Sequence, residues 1–287
     1  MIYKYYLNIG DIYFELISLK ELTLSEYYEK YQSKMHISNI SIYIKDLPEN
    51  YKYPAHKIGE DLILDYYYEN KKHYAAAKPG TAGSVTIVEY DDFFHHVNYY
   101  INERNFPNLI TSIDKILQLF PLREFLIRKR SFLFHSSQIE YHHKGILFSA
   151  PSGTGKTTQA KLWKQYEGAK MVCNDRTLIR CSTSAKTYGF PVDGSEPIAS
   201  NLSFDLGAIV ILKQAKDNKV VKLSSAKKIK YLMEQTVMDT WNIQEMGLIR
   251  QYWINIIRNY PVYMLECNIS EDAVECLKQQ LILDGVI

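Results

Sequence analysis

No stretch of this sequence approaches the roughly 20 consecutive apolar residues of a membrane-spanning helix. Even the N-terminal MIYKYYLNIGDIYFEL is broken by polar residues every few positions, so the expectation is a cytoplasmic protein without a membrane partner. An excess of charge of one sign is also missing. Lys and Arg number 34 against 32 Asp and Glu, a formal charge of +2, far short of the basic surplus that phosphate neutralisation on a nucleic acid requires. Cysteine is scarce: Cys173, Cys181, Cys267 and Cys276 are widely spaced and form no C-x-x-C pair. A zinc cage and a disulfide framework are therefore not expected, and free thiols in a reducing cytosol are. Internal repeats and low-complexity tracts are absent as well. What remains is an ordinary globular composition, 46% hydrophobic and 23% charged over 287 residues, enough for one large domain or two small ones.

Most of the 24 tyrosines fall in the first 100 residues, in short segments such as IYKYYL, DIYFELI, ISIYI and LILDYYY. Aromatic and β-branched residues in such runs favour strand over helix. Pro48, Pro54 and the turn-forming stretch from Lys78 to Gly83 punctuate them, the last opening a hairpin into SVTIVEY. From about Asn108 the spacing becomes helical, with Leu109, Ile113, Ile116 and Leu117 ahead of Pro121. The character therefore changes near residue 105, which divides the chain into a β-rich region, 1–105, and a second region, 106–287. In the second region the order is strand (GILFSA), loop, helix ending near Gly168, then strands KMVCND and TLIRCS. The buried-strand run LGAIVILKQ, helices between Ser225 and Arg258, strand PVYMLEC and a helix from Ser270 complete it. Such mixing predicts an α/β or α+β fold around one sheet.

The segment from Ala150 to Thr157, APSGTGKT, fits G-x-x-x-x-G-K-[ST] except that Ala150 occupies the first glycine position. The chemistry tolerates that change. Gly153 and Gly155 let backbone N–H groups turn inward around phosphate oxygens, and the following helix presents its positive end to the same charge. Ser152, Gly153, Thr154, Gly155, Lys156, Thr157 and Thr158 are therefore the expected nucleotide-binding residues. Lys156 neutralises the β- and γ-phosphates, and the Thr157 hydroxyl ligates Mg²⁺. A metal-binding acid is needed on a neighbouring strand, and Asp175 ends KMVCND. The plainer alternatives are a Gly/Ser turn that happens to contain a lysine and an aspartate that merely starts a turn.

These residues resemble the HPr kinase/phosphorylase family, which shares its fold group with ATP-dependent phosphoenolpyruvate carboxykinase. The loop PSGTGKTT is similar to that family's SGxGKS/T loop. His135 lies in the segment before the loop strand, where the family has a histidine close to the transferred phosphate, and Asn174-Asp175 stand at its acidic pair. YGFPVDGSEPIASN looks like the family's G-x-P-x-x-G segment, which brings in Gly189, Pro191, Asp193 and Gly194, with Asn174, as substrate-side residues. The resemblance implies a P-loop-containing HPr-kinase-like core over 106–287; the tyrosine-rich residues 1–105 offer aromatic surface for substrate recognition, or tyrosines that simply stabilise a sheet. It implies catalytic roles for His135, Lys156 and Asp175, with Mg²⁺ at Thr157 and Asp175, and ATP or GTP as phosphoryl donor. The implied acceptor is a hydroxyl, typically serine, on a peptide or small protein such as a ribosomally made lasso-type precursor.

Two departures stand out. An amide at Asn174 cannot accept a proton from a hydroxyl, which leaves Asp175, His135 or Asp193 as base, and no counterpart of the family's C-terminal signature is visible. A regulatory nucleotide-binding module and a small-alcohol kinase are the competing functions. Oligomeric state is not encoded in any motif. His95 and His96 beside Asp91 and Asp92 could suggest a metal cluster, but adjacent strand residues point to opposite faces.

Overall fold

A computed structural model describes residues 1–78, 83–191 and 198–287. The chain forms two units, one of residues 1–128 with 239–243 and the other of residues 129–238 with 244–287.

The first unit carries an eight-stranded sheet: β1 (Tyr3–Ile9), β2 (Ile12–Ser18), β3 (Ile40–Asp46), β4 (Lys57–Glu60), β5 (Leu64–Glu69), β6 (Lys72–Ala77), β7 (Thr86–Tyr90) and β8 (Val97–Ile101). The spatial order is β1-β2-β3-β8-β7-β6-β5-β4. Only β2–β3 and β3–β8 are parallel. Alternation is strict in β2, where every second residue from Ile12 to Ser18 is buried, so one face of the sheet forms a core. β6 and β7 pair antiparallel, as the expected hairpin requires; residues 79–82 of its turn lie outside the described residues. Three helices accompany the sheet, α1 (Glu26–Glu29), α2 (Ile113–Gln118) and α3 (Leu122–Arg128).

The helical spacing read from Asn108 becomes helix only at Ile113. Asn108 has φ +56°, and Ser112 caps the helix by accepting from the Lys115 N–H at 3.3 Å. The first unit also extends beyond the change of character near residue 105, because α2 and α3 pack on this sheet. Phe125 of α3 meets Phe14 at 5.4 Å and Phe94 at 5.2 Å between ring centroids. Buried Glu124 accepts from the Tyr90 hydroxyl at 2.6 Å and from Arg128 at 2.8 Å. Composition changes where strands give way to helices, whereas the unit ends where the packing ends.

The second unit contains β9 (Ser131–Tyr141), β10 (Lys144–Ser149), α4 (Lys156–Glu167), β11 (Lys170–Cys173), β12 (Arg176–Cys181), β13 (Ala185–Gly189), β14 (Ser203–Gln214) and β15 (Lys219–Lys222). It continues with α5 (Ser225–Glu234), β16 (Thr236–Val237), α6 (Ile243–Asn259, whose first residue counts with the first unit), β17 (Val262–Cys267) and α7 (Glu271–Leu283). The strand order is β10-β9-β12-β13-β14-β17-β15, with β11 and β16 pairing β9. β10 also pairs β14 in parallel, which closes β10, β9, β12, β13 and β14 into a ring. β9 organises this arrangement: its 11 residues, left unassigned by periodicity, pair with four other strands. Ile139, Phe148, Trp163, Val210, Leu265 and Leu277 form one buried cluster with α4 and α7.

Candidate functional site

β9 and β10 form a hairpin whose turn is His142-His143, with φ +49° and +62° between paired Tyr141 and Lys144. Two consecutive left-handed residues match the twist of the strands they join. That turn sets the register that aligns Ser149 with Ser136 at the other end, and Ser149 Oγ donates to the His135 carbonyl at 2.8 Å. Alternation along β9 puts His135, Ser137 and Ile139 on one face. Ile139 lies in the cluster with Trp163 of α4, so His135 faces the side on which α4 begins.

Beyond Ser149 the chain turns through residues 150–155 into α4. Gly153 (φ +77°) and Gly155 (φ +113°) hold left-handed conformations that a side chain resists. Gly155 is the N-cap and brings no side-chain acceptor, so the N–H groups of the first turn, at Lys156, Thr157 and Thr158, are left to other partners. Thr154 N–H donates to the Pro151 carbonyl at 3.3 Å, and Gln214 Nε2 donates to the Thr154 carbonyl at 3.2 Å. Ser152 and Gly153 are exposed. Lys156 is only 7% exposed, and its Nζ donates to the carbonyls of Ala150 at 2.9 Å and Pro151 at 3.4 Å. Burial pushes its ammonium pKa down, with the Asp175 carboxylate opposing.

Asp175, expected to end a strand, lies instead in the bend between β11, which stops at Cys173, and β12, and is fastened against β9. β12 pairs Arg176 with His135, Ser136 N–H donates to the Asp175 carbonyl at 3.1 Å, and Ser137 Oγ donates to the Asn174 carbonyl at 3.0 Å. His135 Nε2 consequently lies 3.4 Å from Asp175 Oδ1, and Arg176 Nε lies 3.5 Å from Asp175 Oδ2. The His135 imidazole, aided by Arg176 and Lys156, holds the Asp175 carboxyl below its ordinary range despite partial burial. An ionised carboxylate, a histidine and a buried lysine are thus electrostatically coupled where the middle of β9 meets the end of β10 and the start of β12.

The substrate-side residues fare differently. Asn174 is buried, and neither its Nδ2 nor its Oδ1 has a hydrogen-bond partner among the described residues. Gly189, expected on the substrate side, ends β13, and a Cβ there would stand 2.1 Å from the Ser200 carbonyl oxygen. Its glycine is explained by that close backbone approach, and Pro191 is buried nearby in sequence. Gly189→Ala is accordingly expected to destabilise the second unit by about 1–3 kcal/mol through overpacking. Urea denaturation checks this, and an unchanged midpoint would contradict the approach to Ser200. Asp193 and Gly194 lie outside the described residues.

Arg176, Ser149 and Gln214 were not singled out by the sequence. Arg176 had a signal, a guanidinium beside the motif acid; Gln214, a distant strand end, had none. No group of three or more His, Cys, Asp or Glu side chains gathers to hold a metal among the described residues. Asp91 instead accepts from the backbone N–H groups of Phe93, His95 and His96, which makes that histidine-rich stretch a capped turn. No helix among the described residues is long and apolar enough to cross a membrane.

Fold and site together define a mixed α/β protein in which a glycine-rich strand–loop–helix element faces an Asp–His pair. The family model of the SynChlorMet cassette protein ScmC matches residues 108–282, and the chain belongs to that family. It is also similar to the structure of the Hpr(Ser) kinase/phosphatase from Coxiella burnetii, at 13% identity and a TM-score of 0.30, over 53% of this chain and 95% of that one. No curated protein matches the chain.

Proposed function

We propose that this chain is an ATP-dependent kinase that transfers the γ-phosphoryl group to a hydroxyl, a serine by preference, of a peptide or small protein. The observation that carries the reading is the meeting of Lys156 and its loop with the His135–Asp175 pair. Phosphoryl transfer asks a protein mainly for positioning and charge neutralisation. The first-turn amides of α4 and Lys156, whose ammonium keeps one N–H beyond the two given to the carbonyls of Ala150 and Pro151, hold the triphosphate. Thr157 and Asp175 would hold Mg²⁺. One hydroxyl and one ionised carboxylate suit a cation that completes its octahedral shell with phosphate and water, and it would neutralise charge on the β- and γ-oxygens. Asp175 or His135 takes the acceptor's proton, a contribution of ~10²- to 10⁴-fold; Asn174 cannot. GTP would be accommodated by the same parts.

The test is transfer from [γ-³²P]ATP with Mg²⁺ to a serine-containing precursor peptide by wild type and Asp175→Asn. Wild type should label the peptide, and Asp175→Asn should fall by about 10²-fold or more. Because the Asp175 carboxyl is held below its ordinary range, the base or ligand it provides is lost only as pH falls below the ordinary carboxylate range. ATP binding without transfer to any peptide or small alcohol would favour a regulatory nucleotide-binding module, the reading to which the amide at Asn174 lends itself.

A further inference from the structure

A groove between α5 and α6 takes no part in the chemistry above. It has a volume of about 470 Å³ and is lined by Ala226 and Ile229 of α5 and by Arg250, Ile254, Ile257 and Arg258 of α6. The core needs only one stripe of α6, the buried Ile249, Trp253 and Ile256. Arg250, Ile254, Ile257 and Arg258 form a second stripe one residue on, about 100° around the helix, and the two isoleucines are only half-buried. α5 repeats the pattern, with Leu232 buried while Ile229 is half-buried and Ala226 exposed.

The charge at this groove has one sign. Neither Arg250 nor Arg258 has an ion-pair or hydrogen-bond partner among the described residues, and no acid is in the lining. Lys227 and Lys228 lie in the first turn of α5, whereas Glu234 sits at its far end, 3.9 Å from Lys230. Glu245 of α6 is buried. An apolar floor with a cationic rim complements an amphipathic helix whose polar face is acidic.

The groove is also joined to the transfer site. Immediately after α5, the Gln235 carbonyl accepts from the His135 N–H at 2.8 Å, and Thr236 and Val237 pair with Phe134 and Leu133. A chain lying along α5 therefore leads toward His135.

We propose that the α5–α6 groove docks an acidic, amphipathic helical segment of the peptide that receives the phosphoryl group. Its apolar side chains would cover Ile229, Ile254 and Ile257, and its carboxylates would reach Arg250 and Arg258. The identity of the occupant as substrate rests on the kinase reading; the docking does not.

Fluorescence anisotropy tests the docking with a labelled peptide of about four helical turns, leucines at i, i+3 and i+7 and glutamates elsewhere. Wild type and Lys156→Ala should bind it equally, less tightly as salt rises. Binding should weaken about tenfold or more in the Arg250→Glu/Arg258→Glu double variant, but not in Lys164→Glu, an exposed charge reversal on α4. No binding, or equal binding by the double variant, would overturn the proposal. So would binding of the protein to phosphatidylserine vesicles through these arginines without binding of the peptide. Placing the acidic segment ahead of the serine acceptor should raise kcat/KM for wild type alone. Docking without transfer to any acceptor would instead overturn the kinase reading and leave the docking standing.

Discussion

Lys156→Ala should lower peptide phosphorylation by about 10²- to 10³-fold, the scale of removing one preorganised donor from a developing anionic charge. Lys156 is 7% exposed and held by two loop carbonyls, so its ammonium is already desolvated and oriented. A desolvated charge interacts more strongly with phosphate than one in water. The same burial pushes the ammonium pKa down, so removing it should cost little stability, and the thermal midpoint without nucleotide should stay within a few degrees of wild type. Mg·ATP should raise the wild-type midpoint by linkage and raise that of the variant much less. Loss of transfer with an unchanged midpoint identifies a phosphate ligand. A variant that keeps full transfer would show that the loop does not hold the triphosphate. Lys156→Arg should not rescue it, because the planar guanidinium cannot take the place of a compact ammonium between those carbonyls.

Trp253→Ala should have the largest effect on stability. The indole is fully buried, edge-on to Phe132 at 4.8 Å and Phe134 at 4.9 Å between ring centroids. Its Nε1 donates to Thr236 Oγ1 at 2.8 Å, and that hydroxyl donates to the Leu232 carbonyl at 2.7 Å. Truncation opens a cavity and removes the donor, a loss of about 3–5 kcal/mol against a typical net stability of about 5–15 kcal/mol. Thermal unfolding followed by circular dichroism should show a midpoint lower by roughly 10 °C, with Trp253→Phe intermediate. A shift equivalent to less than about 1 kcal/mol would contradict the packing described. Because Thr236 belongs to the strand that pairs with β9 beside His135, the variant should also lose transfer activity below its unfolding temperature.

The strand–loop–helix element was legible in the residues because its determinants are local. Gly153 and Gly155 are needed for left-handed turns, GILFSA is a buried strand, and Gly168 closes α4 with φ +67°. Ser270 at the N-cap of α7 and the run that becomes β14 were readable for the same reason, since caps and apolar runs act within a few residues. The end of the first unit was not, because Phe125 meets Phe14 across more than a hundred residues of sequence, where no periodicity reaches. Nor did Gly189 reveal its purpose: a glycine in a loop-like segment proved to be a contact with the Ser200 backbone.

The residues by themselves determined a glycine-rich loop between a buried strand and a helix that Lys156 begins, and they put Asp175 close after the next strand. Only the tertiary structure decided that His135 and Asp175 face each other, that Arg176 joins them, that Asn174 is buried and that Gln214 braces the loop. Each of these depends on strand pairing between segments far apart in the chain. A register shift of one residue would turn His135 to the opposite face, and a long-range register is fixed by the packing of the whole sheet.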